Sequence, residues 1–251
     1  MAESWQVFMT RISEDPALVY VDVQYDGAIP GDKPYMMRLA LGLQQADAHG
    51  FPSEAEQEVL NALEDRLREA VPAETNAVYV GRLTMKGTRQ FYFYGSEPRA
   101  FQGVAETVMQ EQPSYRFNCK AAEDPKWDGY RQVLLPTKYD WQTIKNQQVV
   151  RALMDAGDNL EAKRPVQHFA YFPSEEARDH YVKRVTEGGF EISSLPMADP
   201  VEKSERPFGV VATLTHPIVG GTLLDDLTCG LLDAADEVGG EYDGWETPVV
   251  K

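Results

Sequence analysis

Four histidines, His49, His168, His180 and His216, are the side chains best suited by type to shuttle a proton or hold a metal, so their spacing bounds the chemistry on offer. They show no ligand spacing among themselves, and the chain holds no HExxH, GxSxG, Walker or GxGxxG pattern. His168 falls on a strand-like run and His216 precedes Pro217, where each fits a structural histidine as well as an acid–base role. Val219-Gly220-Gly221-Thr222 marks a helix start whose free amides could receive an anion, although Thr222 with Asp225 makes an equally good capping box there. The acidic residues that follow would repel the anion. Carboxylates are so numerous, 40 Asp and Glu in all, that no one pair reads as an acid/base couple. No catalytic residue, cofactor or metal ligand set is expected.

The chemistry that the chain does concentrate is recognition. From Thr222 to Glu246 it carries eight acids, Asp225, Asp226, Asp233, Asp236, Glu237, Glu241, Asp243 and Glu246, and no Lys or Arg occurs between Arg206 and Lys251. Gly239-Gly240 ends a helix, Asp243-Gly244 reads as a tight turn, and Tyr242 and Trp245 flank that turn. Aromatic edges inside a one-sign field suit a surface that meets a basic partner, which makes the eight acids with Tyr242 and Trp245 the candidate partner-binding set. The same residues also fit a solvated helix face whose two aromatics close the open end of a core.

The 251 residues fit one large domain or two of ordinary size, and a composition 43% hydrophobic, 25% charged and 10% aromatic belongs to a globular chain with a sizeable core. A formal net charge of −16 argues against direct nucleic-acid binding, which needs Lys and Arg on phosphates, and favours a basic protein or basic segment as partner. Cys119 and Cys229 lie far apart and form neither a disulfide framework nor a CxxC motif, which points to a reducing compartment. The first residues lack the basic start and apolar core of a signal peptide, and no run approaches ~18 apolar residues. The expectation is a cytoplasmic protein without a membrane span.

Positioning falls to an α+β chain. Residues 5–12 and 18–25 alternate as strands, and residues 35–43 are read as a third on the strength of their flanks. Ser53 with Glu56 forms a capping box for a helix that carries Val59, Leu60, Leu63, Leu67, Ala70 and Val71 on one face and that Pro72 is expected to stop. A hairpin turns at Lys86-Gly87, a helix covers 96–110, and strands over 114–121 and 130–135 complete the first half. A polar break at residues 136–138 divides the chain into domains 1–138 and 139–251. The second half reads as helix 140–155, strand 165–172, a helix capped by Ser174, strand 190–194, a polar loop holding Pro196 and Pro200, strand 208–215 and the acidic helix. In that helix Leu223, Leu224, Leu227, Leu231 and Ala235 make the expected buried stripe, and Gly230 suggests close packing on a sheet. Residues 91–97 echo residues 169–175, and Trp127-Asp128-Gly129-Tyr130 echoes Tyr242-Asp243-Gly244-Trp245, which suggests a duplication.

Five pieces of the second half carry a resemblance. Gly157-Asp158 follows a helix, Val166-Gln167-His168-Phe169 lies on a strand, Ser174-Glu175-Glu176 opens a helix, Gly189-Phe190-Glu191-Ile192 lies on the next strand, and Glu241-Tyr242-Asp243-Gly244-Trp245 follows the last helix. In order and spacing they resemble the regulator of ribonuclease activity B family over residues 140–251, and the first half is similar to an uncharacterised domain family found joined to it. The resemblance implies a ferredoxin-like second domain and a non-enzymatic protein that binds ribonuclease E, or another Arg-rich RNA-processing protein, and lowers its activity. Both domains are expected to be antiparallel sheets with helices on one face. The alternative is an unrecognised enzyme or small-ligand binder using the cleft between the domains.

Overall fold

Alternation of buried and less buried side chains marks strands such as Arg164–Phe172, and the Ser53 and Ser174 side chains cap two of the helix starts. The computed structural model describes residues 4–194, 205–218 and 222–251; the expected Pro196/Pro200 loop and the Val219-Gly220-Gly221 amides lie outside them. The chain divides into two compact units, Met1–Thr137 and Lys138–Lys251.

The first unit runs β1 (Trp5–Ile12), β2 (Asp15–Asp22), a 3-10 turn (Val23–Tyr25), β3 (Tyr35–Gly42), α1 (Glu54–Thr75), β4 (Val78–Met85), β5 (Thr88–Gly95), α2 (Pro98–Met109) and β6 (Phe117–Glu123). Its sheet has the order β1-β2-β4-β5-β3-β6, antiparallel throughout. Leu60, Leu63 and Leu67 of α1 with Phe101 and Val108 of α2 cover Leu39, Leu41, Phe91 and Phe93 on one face.

Three local expectations change. Ser53 Oγ does accept from the Glu56 amide at 3.3 Å, but Glu56 does not reach back, because the Ser53 amide is already bonded to the Gln45 carbonyl. The Glu56 carboxylate instead takes the Gln44 and Gln45 amides, at 2.7 and 2.9 Å, and the Tyr115 hydroxyl at 3.0 Å. α1 runs through Pro72 to Thr75: a proline so near the end removes only its own amide from the ladder, and the helix stops where Asn76 turns left-handed at φ 44°. Tyr130–Leu134 is a π-helical turn and not a strand. Asp124 accepts from the Asp128 and Gly129 amides at 2.8 Å each, coiling the chain where an extended run was expected, and the Tyr130 hydroxyl donates to the Asp22 carbonyl at 2.6 Å.

The second unit runs α3 (Lys138–Asp155), β7 (Arg164–Phe172), α4 (Glu175–Glu187), β8 (Glu191–Ser194), β9 (Phe208–His216), α5 (Thr222–Asp236) and β10 (Glu241–Glu246). Ser174 Oγ accepts from the Ala177 amide at 3.2 Å, and Gly239 at φ 70° follows the end of α5. The sheet order β10-β7-β9-β8, all antiparallel, is that of a βαββαβ ferredoxin-like unit preceded by one extra helix. Tyr181 and Val185 of α4 and Leu231 and Ala235 of α5 pack together on Ala170, Phe172, Val210 and Ala212. No helix among the described residues is long and apolar enough to cross a membrane.

From β3 to β6 the first unit follows the same plan, its strands lying β6-β3-β5-β4, with the β1–β2 hairpin added beyond β4. The motif echoes nevertheless do not correspond. Residues 91–95 form the third strand of their βαββαβ unit and residues 169–172 belong to the first, while Trp127–Tyr130 lies beyond the last strand and Tyr242–Trp245 within it.

Gly230 is exposed, with nothing within 4 Å of an added Cβ, so it does not mark close packing. At Gly240, by contrast, a Cβ would stand 2.5 Å from the Phe172 ring and 3.0 Å from the Tyr171 carbonyl. Gly230→Ala should therefore raise the unfolding free energy by ~1 kcal/mol, and Gly240→Ala should lower it by about 1–3 kcal/mol. Urea titrations followed by circular dichroism decide both, and a destabilised Gly230→Ala chain would show a contact at that glycine.

Candidate protein-binding face

The expected turn at Asp243-Gly244 is a bulged edge strand. Tyr242 stands opposite Ala170, Gly244 opposite Phe169 and Trp245 opposite His168, leaving Asp243 as an extra residue. Gly244 takes φ +132°, which a residue with a Cβ rarely adopts, so the dipeptide kinks the strand without reversing it. Strict alternation would place residues three apart on opposite faces; the extra residue puts Tyr242 and Trp245 on the same one. Both are buried, at 4% and 8% exposure. Tyr242 joins the core of Ala170, Phe172 and Leu231, and Trp245 that of Leu153, Val166 and Leu224. The core-closing reading therefore describes these two aromatics, and neither offers a free edge to a partner.

Trp245 also ends a polar network that the sequence reading missed. Its Nε1 donates to Asn146 Oδ1 at 2.8 Å, and Gln142 Nε2 donates to the same oxygen at 2.9 Å. Asn146 Nδ2 donates to Asp225 Oδ1 at 2.7 Å and to Thr228 Oγ1 at 2.8 Å. The amide, 1% exposed, thereby uses every donor and acceptor it has and joins α3, α5 and β10. A signal for it existed. The apolar stripe of α3 through Val149 and Leu153, carried back at helical spacing, lands on Asn146 and Gln142, and that of α5 through Leu224 and Leu231 includes Thr228.

The eight acids divide by what the fold brings to them. Lys138 Nζ bonds Asp233 at 2.8 Å and Asp236 at 2.7 Å, which holds the Asp233 carboxyl below its usual range; Arg184 pairs with Glu237, and Arg206 with Glu241 at 3.2 Å. These cations come from distant parts of the chain, so the stretch without bases is not a surface without bases. Asp226 and Glu246 are exposed, as is Asp243, and Asp225 is half-buried, its carboxyl pushed up by desolvation despite bonds from Asn146 and Thr143. Leu223, expected in the buried stripe, is 63% exposed.

Of the histidines, His168 is fully buried, its Nδ1 hydrogen-bonded to the Tyr242 hydroxyl at 2.8 Å and its Nε2 without a partner. Desolvation and the neighbouring His216 depress its pKa to about 3. Among the described residues no group of three or more His, Cys, Asp or Glu could hold a metal. A further anchor holds the segment after β10. The buried Arg164 and Asp158 side chains pair, Asp158 Oδ2 accepts from the Val250 amide at 2.7 Å, and Arg164 donates to the Pro248 carbonyl at 3.4 Å. The guanidinium keeps the Asp158 carboxyl below its usual range.

Two outcomes follow. Asn146→Ala strips four groups of their partner and should lower stability by about 3 kcal/mol, read from tryptophan fluorescence in urea; a loss below about 1 kcal/mol would make the amide dispensable. His168 is the second test. Because its folded pKa lies below the unfolded value near 6.5, its neutral form contributes stability above that pH, and the contribution drains away as pH falls from about 6.5 toward 3. Melting temperatures between pH 7 and 5 should fall less steeply for His168→Gln than for the native chain, and parallel curves would remove His168 from the acid response.

Residues 143–247 match the profile of the family described as regulator of ribonuclease activity B, and residues 3–135 match that of a family of unknown function, DUF695. No curated protein matches the chain. Among solved structures, an unknown protein from Galdieria sulphuraria is 12% identical, with 86% of this chain and 99% of that chain covered at a TM-score of 0.24. A protein described as a glycine cleavage system transcriptional repressor is 10% identical, with 85% and 98% covered at a TM-score of 0.21. At these scores neither likeness bears on fold or function. The match over the second unit supports a regulator of ribonuclease activity in general, and the chain, matched over more than half its length by the DUF695 profile, belongs to the DUF695 family.

Proposed function

We propose that this protein is a non-enzymatic regulator that binds a basic segment of ribonuclease E, or of another Arg-rich RNA-processing protein, through the acidic face of α5 and β10. The observation that carries the reading is the match of residues 143–247 to the regulator of ribonuclease activity B family. Charge agrees with it. Among the described residues, Lys138, Arg184 and Arg206 pair with Asp233, Asp236, Glu237 and Glu241, while Asp225 and Asp226 meet no cation. Tyr242 and Trp245 serve the contact from beneath: their burial fixes the bulged strand that presents Asp243 and Glu246. Surface charges of this kind act mainly on association rate and salt response.

The test is an RNA-cleavage assay with purified ribonuclease E, the intact chain, and a chain with Asp225, Asp226, Asp233 and Asp236 changed to Asn. The intact chain should slow cleavage, less so as salt is raised, and the altered chain should need at least about tenfold more protein for the same effect. Equal slowing by both chains would take the acidic face out of the mechanism, and no slowing by either would remove ribonuclease E as the partner.

A further inference from the structure

A groove of about 490 Å³ runs between α3 and α5 of the second unit. Val150, Met154 and Leu224 supply its apolar lining, and Asn146, Asp155 and Asp225 its polar edge. Met154, one of its lining residues, is 61% exposed on α3, and Leu223, which lines a neighbouring hollow and not the groove itself, is 63% exposed on α5. A smaller hollow of about 110 Å³, lined by Leu214, Leu223 and Leu227, shares Leu224 with the groove, and the apolar strip continues across α5. The shape and lining suit side chains from one face of a helix.

We propose that this groove, together with the hollow that adjoins it at Leu224, takes a basic amphipathic helix of a partner protein lying across α5, its apolar face on Val150, Met154, Leu224 and Leu223, its Lys and Arg side chains on Asp155, Asp225 and Asp226. This assignment rests on the reading of the second unit as a protein-binding module and names where and what it binds. Charge complementarity selects the occupant. Asp233, Asp236, Glu237 and Glu241 already hold cations from this chain, whereas no cation among the described residues pairs with Asp155, Asp225 or Asp226. Arg151 is the one base among the described residues lining the groove. The unanswered negative charge therefore lies around the apolar groove and not at the far end of α5. A second copy of this chain would bring a formal charge of −16 against it, and a neutral small molecule would leave the carboxylates unanswered.

The probe is a labelled synthetic peptide of about 18 residues with Leu at i, i+3, i+4 and i+7 positions and Arg elsewhere, set beside a scrambled peptide of the same composition. Fluorescence anisotropy with the full chain should show the ordered peptide binding at least about tenfold more tightly than the scrambled one. Met154→Gln with Leu223→Gln, both at exposed positions, should weaken it by about tenfold, and Glu176→Gln with Glu187→Gln, exposed acids of α4, should leave it within about twofold. Equal binding of the two peptides, or an unaffected Met154/Leu223 variant, overturns the assignment. The ribonuclease assay separates the two readings. If the Met154/Leu223 variant still slows cleavage as the native chain does, the groove is removed and the acidic face stays. If the ordered peptide binds as expected while no chain slows cleavage, the groove stands and ribonuclease E is not its partner.

Discussion

One buried side-chain amide sets the geometry of the second unit. Asn146 sits out of water with all its hydrogen-bonding capacity used, and its partners come from three elements: Gln142 on its own helix, Asp225 and Thr228 on α5, and Trp245 on β10. A buried polar group satisfied in this way tolerates no slippage, because moving any one element by a residue leaves several groups unpaired in a low-dielectric interior. Apolar packing around Leu153, Val166 and Leu224 supplies attraction there without direction. The amide supplies the direction, so the rotation of α5, which decides which acids face water, is tied to the bulge of β10 and the docking of α3.

Charge on this surface is a property of the fold and not of the linear run. Lys138, Arg184 and Arg206 stand outside the acidic run in sequence and reach its acids, on α5, just past that helix and on β10, only once the fold is assembled. Exposed pairs of this kind contribute ~0–1 kcal/mol each, so their weight for stability is small. Their effect on the field is larger. They quench the end of α5 near Asp236 and leave the half near Asp225 and Asp226 unpaired, beside exposed Leu223 and Met154.

Much of this was legible in the residues, and the failures share a cause. Strand alternation, the Ser53 and Ser174 caps, the Lys86-Gly87 hairpin and the Gly239 stop are local signals, and the structure bears them out. Asp-Gly is local too, but it serves a tight turn or a bulge equally, and only the pairing with β7 selects the bulge that buries Tyr242 and Trp245. Leu223 was assigned inward by residue type, whereas the rotation of α5 is set by Thr228 and Asp225, which an apolar count ignores. The shared strand order of the two units was obscured because the motif echoes aligned a third strand with a first; strand order lies in pairings between distant segments.

The position of β10 along the chain bears on the order in which the protein is made. The six strands of the first unit are complete once residue 123 has been added, and that sheet can close early in synthesis. The second unit cannot. Its first strand, β7, keeps one side unpaired until residues 241–246 emerge, Asn146 waits equally long for Trp245, and Asp158 waits for the Val250 amide. From the completion of β7 until β10 has emerged, the nascent chain thus presents an open sheet edge and an unsatisfied helix, the kind of surface that holding chaperones shield and that mispairs when left uncovered.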